Sequence, residues 1–355
     1  MKRLTIRDVA RRAGVSLGTV SNVLNRPELV APETRERVLT AVDELGFVRN
    51  NAARQLRGIK SPSIALIVLD IDNPFFTEVA RGVEAGANEA AHLVVLCSSA
   101  GDQAREDRHL QLLEEQRVAG ILMSPVSKNH SPQLREIRRR GTPVVMLDRH
   151  RSIRDHCSAA VNDTSGGRMV AEHLLSLGHT RVGFVNGPRL HKPCAERREG
   201  FLEVLQGRSV TLRPEHDVET SRMTIEAGEQ AALEMLGRRV KPTALFCTND
   251  LLAIGAEQAA LNLGLRIPDD LAIVGYDDIR FAQTSLVPLT SVRNPAYELG
   301  YQSAKLVIDE ATNPAAHRHQ RLRFEPELVV RASTRSPGNG AQTRRSAAYS
   351  ARRRR

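Results

Sequence analysis

The 355-residue chain has no tryptophan and eight phenylalanines, so packing alone can claim much of its aromatic content. Its four cysteines, Cys97, Cys157, Cys194 and Cys247, lie far apart and form no CxxC pair. That spacing argues against a disulfide framework or structural zinc and predicts four reduced, mostly packed thiols. No metal or cofactor is expected. No apolar run approaches the ~18 residues of a membrane span. The opening MKRLTIRDVA lacks the apolar core of a signal peptide, which predicts a cytoplasmic protein. Enzyme signatures are also missing: no GxGxxG follows a strand, the one GxSxG string (Gly14–Gly18) lies between two helical stretches rather than at a strand-to-helix elbow, and GxxxxGK[ST] and HExxH do not occur. Asp70-Ile71-Asp72-Asn73 imitates a calcium loop, but Pro74 and Phe75 replace its flexible middle and Arg81 stands in place of the terminal Glu. The expectation is a binding protein rather than an enzyme.

What the chain does have is positive charge at its ends. Of a formal net charge of +10, residues 1–60 carry +6 and residues 344–355 carry +6, leaving 61–343 at −2. Basic ends around a near-neutral body suit a polyanion such as DNA, although a charge run can equally be a solvated surface.

Residues 4–46 read as three short helices. Thr5 can cap the first, with Asp8 in the capping-box position; Ile6, Val9, Ala10 and Ala13 form its apolar stripe. Gly14 permits a tight turn, beside which Val15 plugs the core. Ser16 caps a second helix with Val20, Val23 and Leu24 inward. A third runs from about Pro32 to Leu45, with Val38, Leu39, Val42 and Leu45 inward and Gly46 as its stop. From Ser63 the pattern changes to short β-branched runs alternating with amphipathic stretches: 64–70, 93–99, 119–125, 142–149, 181–188, 243–250 and 271–278. This is the pattern of βαβ units and parallel sheets. A break near Ala160–Ser165 suggests two lobes, and 292–334 is expected to return through both. Beyond Arg335 the Gly-, Ser- and Arg-rich tail has no apolar periodicity and is expected to be disordered. His173 and His179 flank a helix end and read as structural; the sequons at Asn129 and Asn162 carry no meaning in a cytoplasmic protein.

The string TIRDVARRAGVSLGTVSNVLN resembles the headpiece of the lactose/galactose-repressor family almost position by position. The resemblance implies a fold of an N-terminal all-α helix-turn-helix headpiece (1–48), a hinge helix or linker (49–60), a two-lobe α/β periplasmic-binding-protein-like body (61–335) and a basic tail (336–355). With Val20, Val23 and Leu24 buried, helix geometry turns Leu17, Gly18, Ser21 and Asn22 outward. The family places base reading at Leu17, Gly18 and Asn22. Asn22 can bond a base edge, Leu17 offers apolar contact, and Gly18 offers no side chain, a departure from members with larger polar residues there. Thr5, Ser16, Thr19, Ser21 and Asn25 are candidates for phosphate contacts. The segment RNNAARQLRGIKSP resembles the family's hinge helix: Asn50 caps it, Ala52, Ala53 and Leu56 share a face, and Arg54 and Arg57 lie beside phosphates. Leu56 stands where the family inserts an apolar wedge into the minor groove, unless the segment is a flexible linker.

The body resembles sugar-binding proteins that hold ligand between lobes, at the carboxyl ends of strands. Residue by residue the set looks most like a ribose-type pocket: Asn73, Phe75 and Phe76 in the first-strand loop, Asp148 and Arg149 after the fourth strand, Arg197, and Asn249 and Asp277 in the second lobe. Met223 stands where an aromatic stacker is usual and Asn294 where Gln is usual, so another pentose, a hexose or a modified sugar also fits. Core packing can account for one of the two phenylalanines, an ion pair for Asp148–Arg149, and helix capping for Asp250. The resemblance implies a cytoplasmic, nucleoid-associated homodimer on a pseudo-palindromic double-stranded operator, released by a monosaccharide. A corepressor-dependent regulator sensing a purine or other metabolite is the alternative, and a sugar-binding or sugar-modifying α/β protein the rival from another class. No leucine heptads at the C-terminus point to a tetramer. Leu56→Ala should lower operator affinity and leave sugar affinity intact, as measured by operator titration and calorimetry; unchanged operator affinity would dispose of the wedge.

Overall fold

The computed structural model describes residues 4–48, 60–127, 132–147 and 156–335. Asn50, Ala53, Arg54, Leu56 and Arg57, the pair Asp148–Arg149 and the tail 336–355 lie outside them. The chain forms two units, Met1–Ser61 and Pro62–Arg355.

The first unit holds three α-helices among its described residues: α1 (Ile6–Ala13), α2 (Leu17–Asn25) and α3 (Pro32–Leu45). At the start of α1 the Asp8 carboxylate accepts from the Thr5 amide at 2.9 Å and from its hydroxyl at 2.8 Å. Gly14 ends the helix at φ 66°, in the left-handed region that favours glycine. Ser16 Oγ accepts from the Thr19 amide at 3.0 Å and caps α2. Val9, Ala10, Ala13, Val20, Val23, Val38 and Ala41 form one small core, with Val15, Val42 and Leu45 packed against it. The expectation for Leu39 was wrong. Its side chain is 45% exposed, because the buried stripe of α3 follows 38, 41, 42 and 45 at helical spacing and 39 falls about 100° round the axis.

The second unit has two six-stranded sheets. Strands β1 (Ser61–Val68), β2 (Leu93–Ser98), β3 (Val118–Met123), β4 (Val144–Leu147), β5 (Cys157–Val161) and β11 (Arg321–Phe324) form one, in the order β11-β5-β4-β3-β1-β2. Strands β6 (Val182–Asn186), β7 (Asp217–Glu219), β8 (Ala244–Cys247), β9 (Ala272–Asp277), β10 (Thr290–Arg293) and β12 (Glu327–Val329) form the other, in the order β12-β10-β9-β8-β6-β7. Pairing is parallel for β8 with β6 and β9, and antiparallel for β10 with β12. Buried Val, Ile and Leu fill strands such as β1, β3 and β9 without alternation, as sheets covered on both faces require. The break near 160–165 is an unforeseen strand, β5, followed at once by α7 (Asp163–Ser176), and this junction carries the chain from the first sheet to the second. The chain returns through α12 (Ala296–Thr312) to β11 and crosses again to β12. The remaining body helices used below are α4 (Pro74–Glu89), α8 (Lys192–Gly207), α9 (Ile225–Leu236) and α10 (Asp250–Asn262).

His173 and His179 anchor the end of the chain. His173 Nε2 meets Thr334 Oγ1 at 2.9 Å, and His179 Nε2 meets the Arg335 carbonyl at 2.7 Å; burial lowers both pKa values. In α10, Glu257 is 2% exposed and its Oε1 has no hydrogen-bond partner among the described residues. Burial pushes its pKa up to about 8, against a smaller opposing effect of the Ser285 hydroxyl. The folded state therefore holds a proton that the unfolded chain, titrating near 4.5, has given up. This contribution is fully present below about pH 4.5 and is lost as pH rises through about 8. Between about pH 6 and pH 8.5 the protein should lose about 2 kcal/mol more stability than Glu257→Gln does. Urea melts of both at each pH check this, and parallel pH slopes would refute it.

Candidate functional site: an exposed helix and an interlobe cleft

On α2 the buried Val20 and Val23 fix which face remains free. Leu17, Gly18 and Asn22 are exposed and Thr19 and Ser21 half-buried. Leu17 is 44% exposed, an apolar side chain without cover on a face that otherwise offers small and polar groups. Asn25 donates to the Ser21 carbonyl at 2.8 Å, and the Ser16 and Thr19 hydroxyls are 2.9 Å apart. Arg12 pairs with Glu44 at 2.5 Å, which ties α1 to α3. The result is a rigid three-helix frame with its second helix presented outward.

In the body, Asn73, Phe75, Phe76, Arg197, Met223, Asn249, Asp277 and Asn294 line one cleft between the two sheets. They come from six separate stretches of sequence, and the parallel strands bring them together by ending on the same side. Asn73 ends the loop after β1 and caps α4, its Oδ1 accepting from the Phe75 amide at 3.0 Å. Phe75 and Phe76 are both buried and meet edge to face at 5.1 Å, so packing and cleft lining are one role here. Asn249 caps α10 by accepting from the Leu252 amide at 3.0 Å. Asp250 was expected in that capping role and has another. Its carboxylate accepts from Ser291 Oγ at 2.6 Å and from the Ile279 amide at 2.8 Å, pinning the loop after β9. Burial, followed by the nearby Asp277, holds its pKa well above the usual carboxylate range.

Arg197 organises the cleft floor. It is 7% exposed. Its Nε donates to Asp163 Oδ1 at 2.7 Å, Nη1 donates to the Thr248 carbonyl, and Nη2 stands 3.5 Å from Asp277 Oδ1. Its guanidinium carbon lies 3.7 Å above the Tyr276 ring. Burial works against the charge, but Asp163 and Asp277 outweigh it and the pKa stays above the ordinary value. Asp277 itself adopts φ 101°, a region that L side chains rarely enter and that persists only when neighbours hold it. Asn294 Nδ2, donating to Asp277 Oδ1 at 2.9 Å, is one such neighbour.

Sequence reasoning missed Asp163, His191, Pro193, Cys194, Leu69 and Val161, which also line the cleft. Asp163 opens α7 and reads as an ordinary first-turn acid; only Arg197, distant in sequence, reveals its partner. His191 is the more informative omission. Its Nδ1 is buried without a hydrogen-bond partner among the described residues, as is Asn294 Oδ1. Burial lowers the His191 pKa, so the ring is neutral and can donate or accept. The enclosed part of the cleft measures about 40 Å³, room for a few waters.

Removing the Arg197 charge strands two buried carboxylates, which costs about 3–5 kcal/mol when one partner of such a pair is lost. Arg197→Leu should therefore destabilise the body by that amount in urea melts, and adding Asp163→Asn to it should recover part of the loss. Equal stabilities of wild type and Arg197→Leu would show the network to be energetically idle.

Residues 5–50 match the family described as bacterial regulatory proteins, lacI family, and residues 171–334 match the periplasmic binding protein-like domain. The chain is 33% identical over 339 residues to the HTH-type transcriptional regulator DegA of Bacillus subtilis (strain 168), covering 95% of this chain and 99% of that protein. It is 34% identical over 331 residues to the ribose operon repressor of Escherichia coli (strain K12), covering 93% and 99%. Among solved structures, the lac repressor dimer bound to operator and the anti-inducer ONPF is similar at a TM-score of 0.82 and 26% identity, covering 94% of this chain and all of that one. Among the described residues no helix is long and apolar enough to cross a membrane. A helix-turn-helix unit and a two-lobe α/β body, related along nearly their whole length to transcriptional regulators, place this chain in the lacI family of bacterial regulatory proteins: it is a DNA-binding transcriptional regulator and not an enzyme.

Proposed function

We propose that this protein is a repressor that binds a pseudo-palindromic operator as a homodimer and is released when a small polyhydroxylated ligand, a monosaccharide, enters the interlobe cleft. The domain boundaries that go with this reading are 1–48 for the headpiece, 49–60 for the hinge, 61–335 for the sensing body and 336–355 for the tail. The observation that carries the ligand half is the pair of unpartnered buried atoms in the cleft, His191 Nδ1 and Asn294 Oδ1. Leaving such groups unpaired costs about 1–3 kcal/mol each, and hydroxyls that donate and accept satisfy both kinds of atom. Phe75, Phe76 and Met223 supply apolar faces for the C–H surface of a ring, and Asn73, Asn249 and Asp277 supply further polar partners. The relative that is a ribose operon repressor and the structural neighbour bound to operator point the same way.

For the DNA half, Leu17, Gly18 and Asn22 read base edges from α2, while Thr5, Ser16, Thr19, Ser21 and Asn25 set the register on phosphates. Asn50, Ala53, Arg54, Leu56 and Arg57 belong to the minor-groove contact, and Asp148 and Arg149 complete the ligand set. Pairing of two copies is supported by apolar side chains left open on the edge strand β2, Leu93, Val95 and Leu96; natural sheets rarely leave such an edge without a partner.

The test is a thermal-shift screen of the dimer, its mass confirmed by light scattering, against ribose, other pentoses, hexoses and purines, followed by operator titration with any hit. A ligand at ~100 times its Kd adds about 2.7 kcal/mol and moves the melting point by several degrees. A pentose or hexose that both raises the melting point and weakens operator binding supports the reading. A shift from a purine alone, or a sugar that tightens operator binding, overturns the sugar-released repressor.

A further inference from the structure

The scattered cysteines give no sequence sign of a metal site, yet the fold gathers one of them with an imidazole and a carboxylate. Cys157 opens β5, Glu310 lies near the end of α12, and His317 follows in the connection to β11. Their ligand-capable atoms all lie within 4.8 Å of one another. Cys157 Sγ is 3.2 Å from His317 Nε2, and that nitrogen is 3.8 Å from Glu310 Oε2. A tetrahedral ion with a metal–sulfur distance of ~2.3 Å and metal–nitrogen or metal–oxygen distances of ~2.1 Å holds such atoms roughly 3.4–3.6 Å apart. The triangle is thus nearly the size an ion would impose. His319 stands beside it, with Nε2 3.3 Å from Glu310 Oε1 and its ring centroid 5.5 Å from that of His317.

The surroundings suit a ligand set as well. His317 Nδ1 lies 2.7 Å from Asp309 Oδ2, the carboxylate–histidine arrangement that fixes the tautomer and leaves Nε2 free to bind. The Gln320 amide donates to Cys157 Sγ at 3.2 Å, which fixes the orientation of the sulfur. Glu310 Oε2 is buried with no hydrogen-bond partner among the described residues. Cys157 is fully buried and the His317 side chain is 2% exposed. Calcium and magnesium take oxygen-only sets, whereas sulfur with imidazole and carboxylate is the chemistry of zinc and cobalt. Val161, at the far end of the same strand, lines the cleft, so this cluster is separate from the ligand site.

We propose that Cys157, His317 and Glu310, with water as fourth donor and Asp309 as a positioning residue, form a structural site for a zinc-like divalent ion. Binding would tie the end of α12 and the 313–320 connection to the start of β5. When the ion enters, the Cys157 thiol passes its proton to solvent and the sulfur electron pair forms the metal bond.

The test uses the full chain, untagged, stripped with a chelator and titrated with Co²⁺ and then Zn²⁺. One Co²⁺ per chain is expected, with a near-ultraviolet thiolate-to-cobalt band, tetrahedral visible bands, displacement by Zn²⁺, and a raised melting point. His317→Gln and Glu310→Gln should each weaken binding at least tenfold, and Asp309→Asn about 10–100-fold. Cys157→Ser should abolish the thiolate band; if that variant does not fold, His317→Gln decides. Failure to retain cobalt, a spectrum without a thiolate band, or binding unchanged in His317→Gln would overturn the site.

Discussion

The body depends on how closely its helices cross. Three pairs meet through reciprocal glycines. A Cβ on Gly82 of α4 would sit 2.0 Å from the Tyr297 carbonyl oxygen, and one on Gly300 of α12 would sit 2.1 Å from that of Val79. Gly167 of α7 and Gly200 of α8 face the Arg197 and Thr164 carbonyls in the same way, each at 2.0 Å. Gly228 of α9 and Gly255 of α10 repeat it against Leu252 and Ile225 at 2.2 and 2.0 Å. A glycine inside a helix costs about 0.5–1 kcal/mol relative to alanine. Here six such costs are offset by backbone-to-backbone packing that no side chain would permit. The α7–α8 crossing brings Asp163 and Arg197 to hydrogen-bond distance, and the α9–α10 crossing places the start of α10, with Asn249 and Asp250, beside the loop after β9. The cleft chemistry is a consequence of the crossings.

That dependence explains which features could be read from sequence. The headpiece was legible because its signals are local: the Ser16 cap and the Gly14 turn act over a few residues and fall in the right order. Leu39 misled because an apolar residue beside a stripe reads as part of it until the stripe is counted strictly. The long βαβ pattern and its two-lobe division were legible, but β5 was taken for a break. The string CSAAV is short, small-residue rich, and runs straight into a helix. The glycine pairs were invisible because a helical glycine looks like a weakness until its partner is known. The role of Asp250 was misread for a related reason: either it or Asn249 can cap, and the choice rests on Ser291 and Ile279, which are distant in sequence. The Cys157–His317 cluster spans 160 residues and leaves no motif.

The polar arrangement of the cleft also bears on how a ligand could act at a distance. Arg197 spends its donors on Asp163, Thr248 and Asp277, so an incoming ligand gains little from that guanidinium unless it displaces a carboxylate. The free hydrogen-bonding capacity is instead at His191, from the second lobe, and at Asn294, in the segment crossing between lobes. A ligand that bonds both therefore touches a part of the molecule whose position depends on the lobe arrangement. Only a ligand with different affinity for two arrangements can shift their populations, and contacts on a crossing segment have that property.

Three segments join the lobes, after β5, after β10 and after β11, and they are tied to their surroundings. Asn162, at the first of them, donates to Glu325 at 2.7 Å and accepts from Arg323, both beside the third. Arg293, at the second, donates to Asp278 at 2.8 Å, and Arg331, just past the third, pairs with the same carboxylate at 2.6 Å. The connecting strands are thus stitched to one another and to the loop that follows Asp277. The Asp278 bonds lie within the second lobe and the Asn162 bonds join two adjacent connecting segments, so all of them can persist while one lobe turns on the other. A rotation that keeps them still parts walls enclosing only about 40 Å³. Because β1 starts at Ser61, the first lobe is covalently continuous with the 49–60 segment.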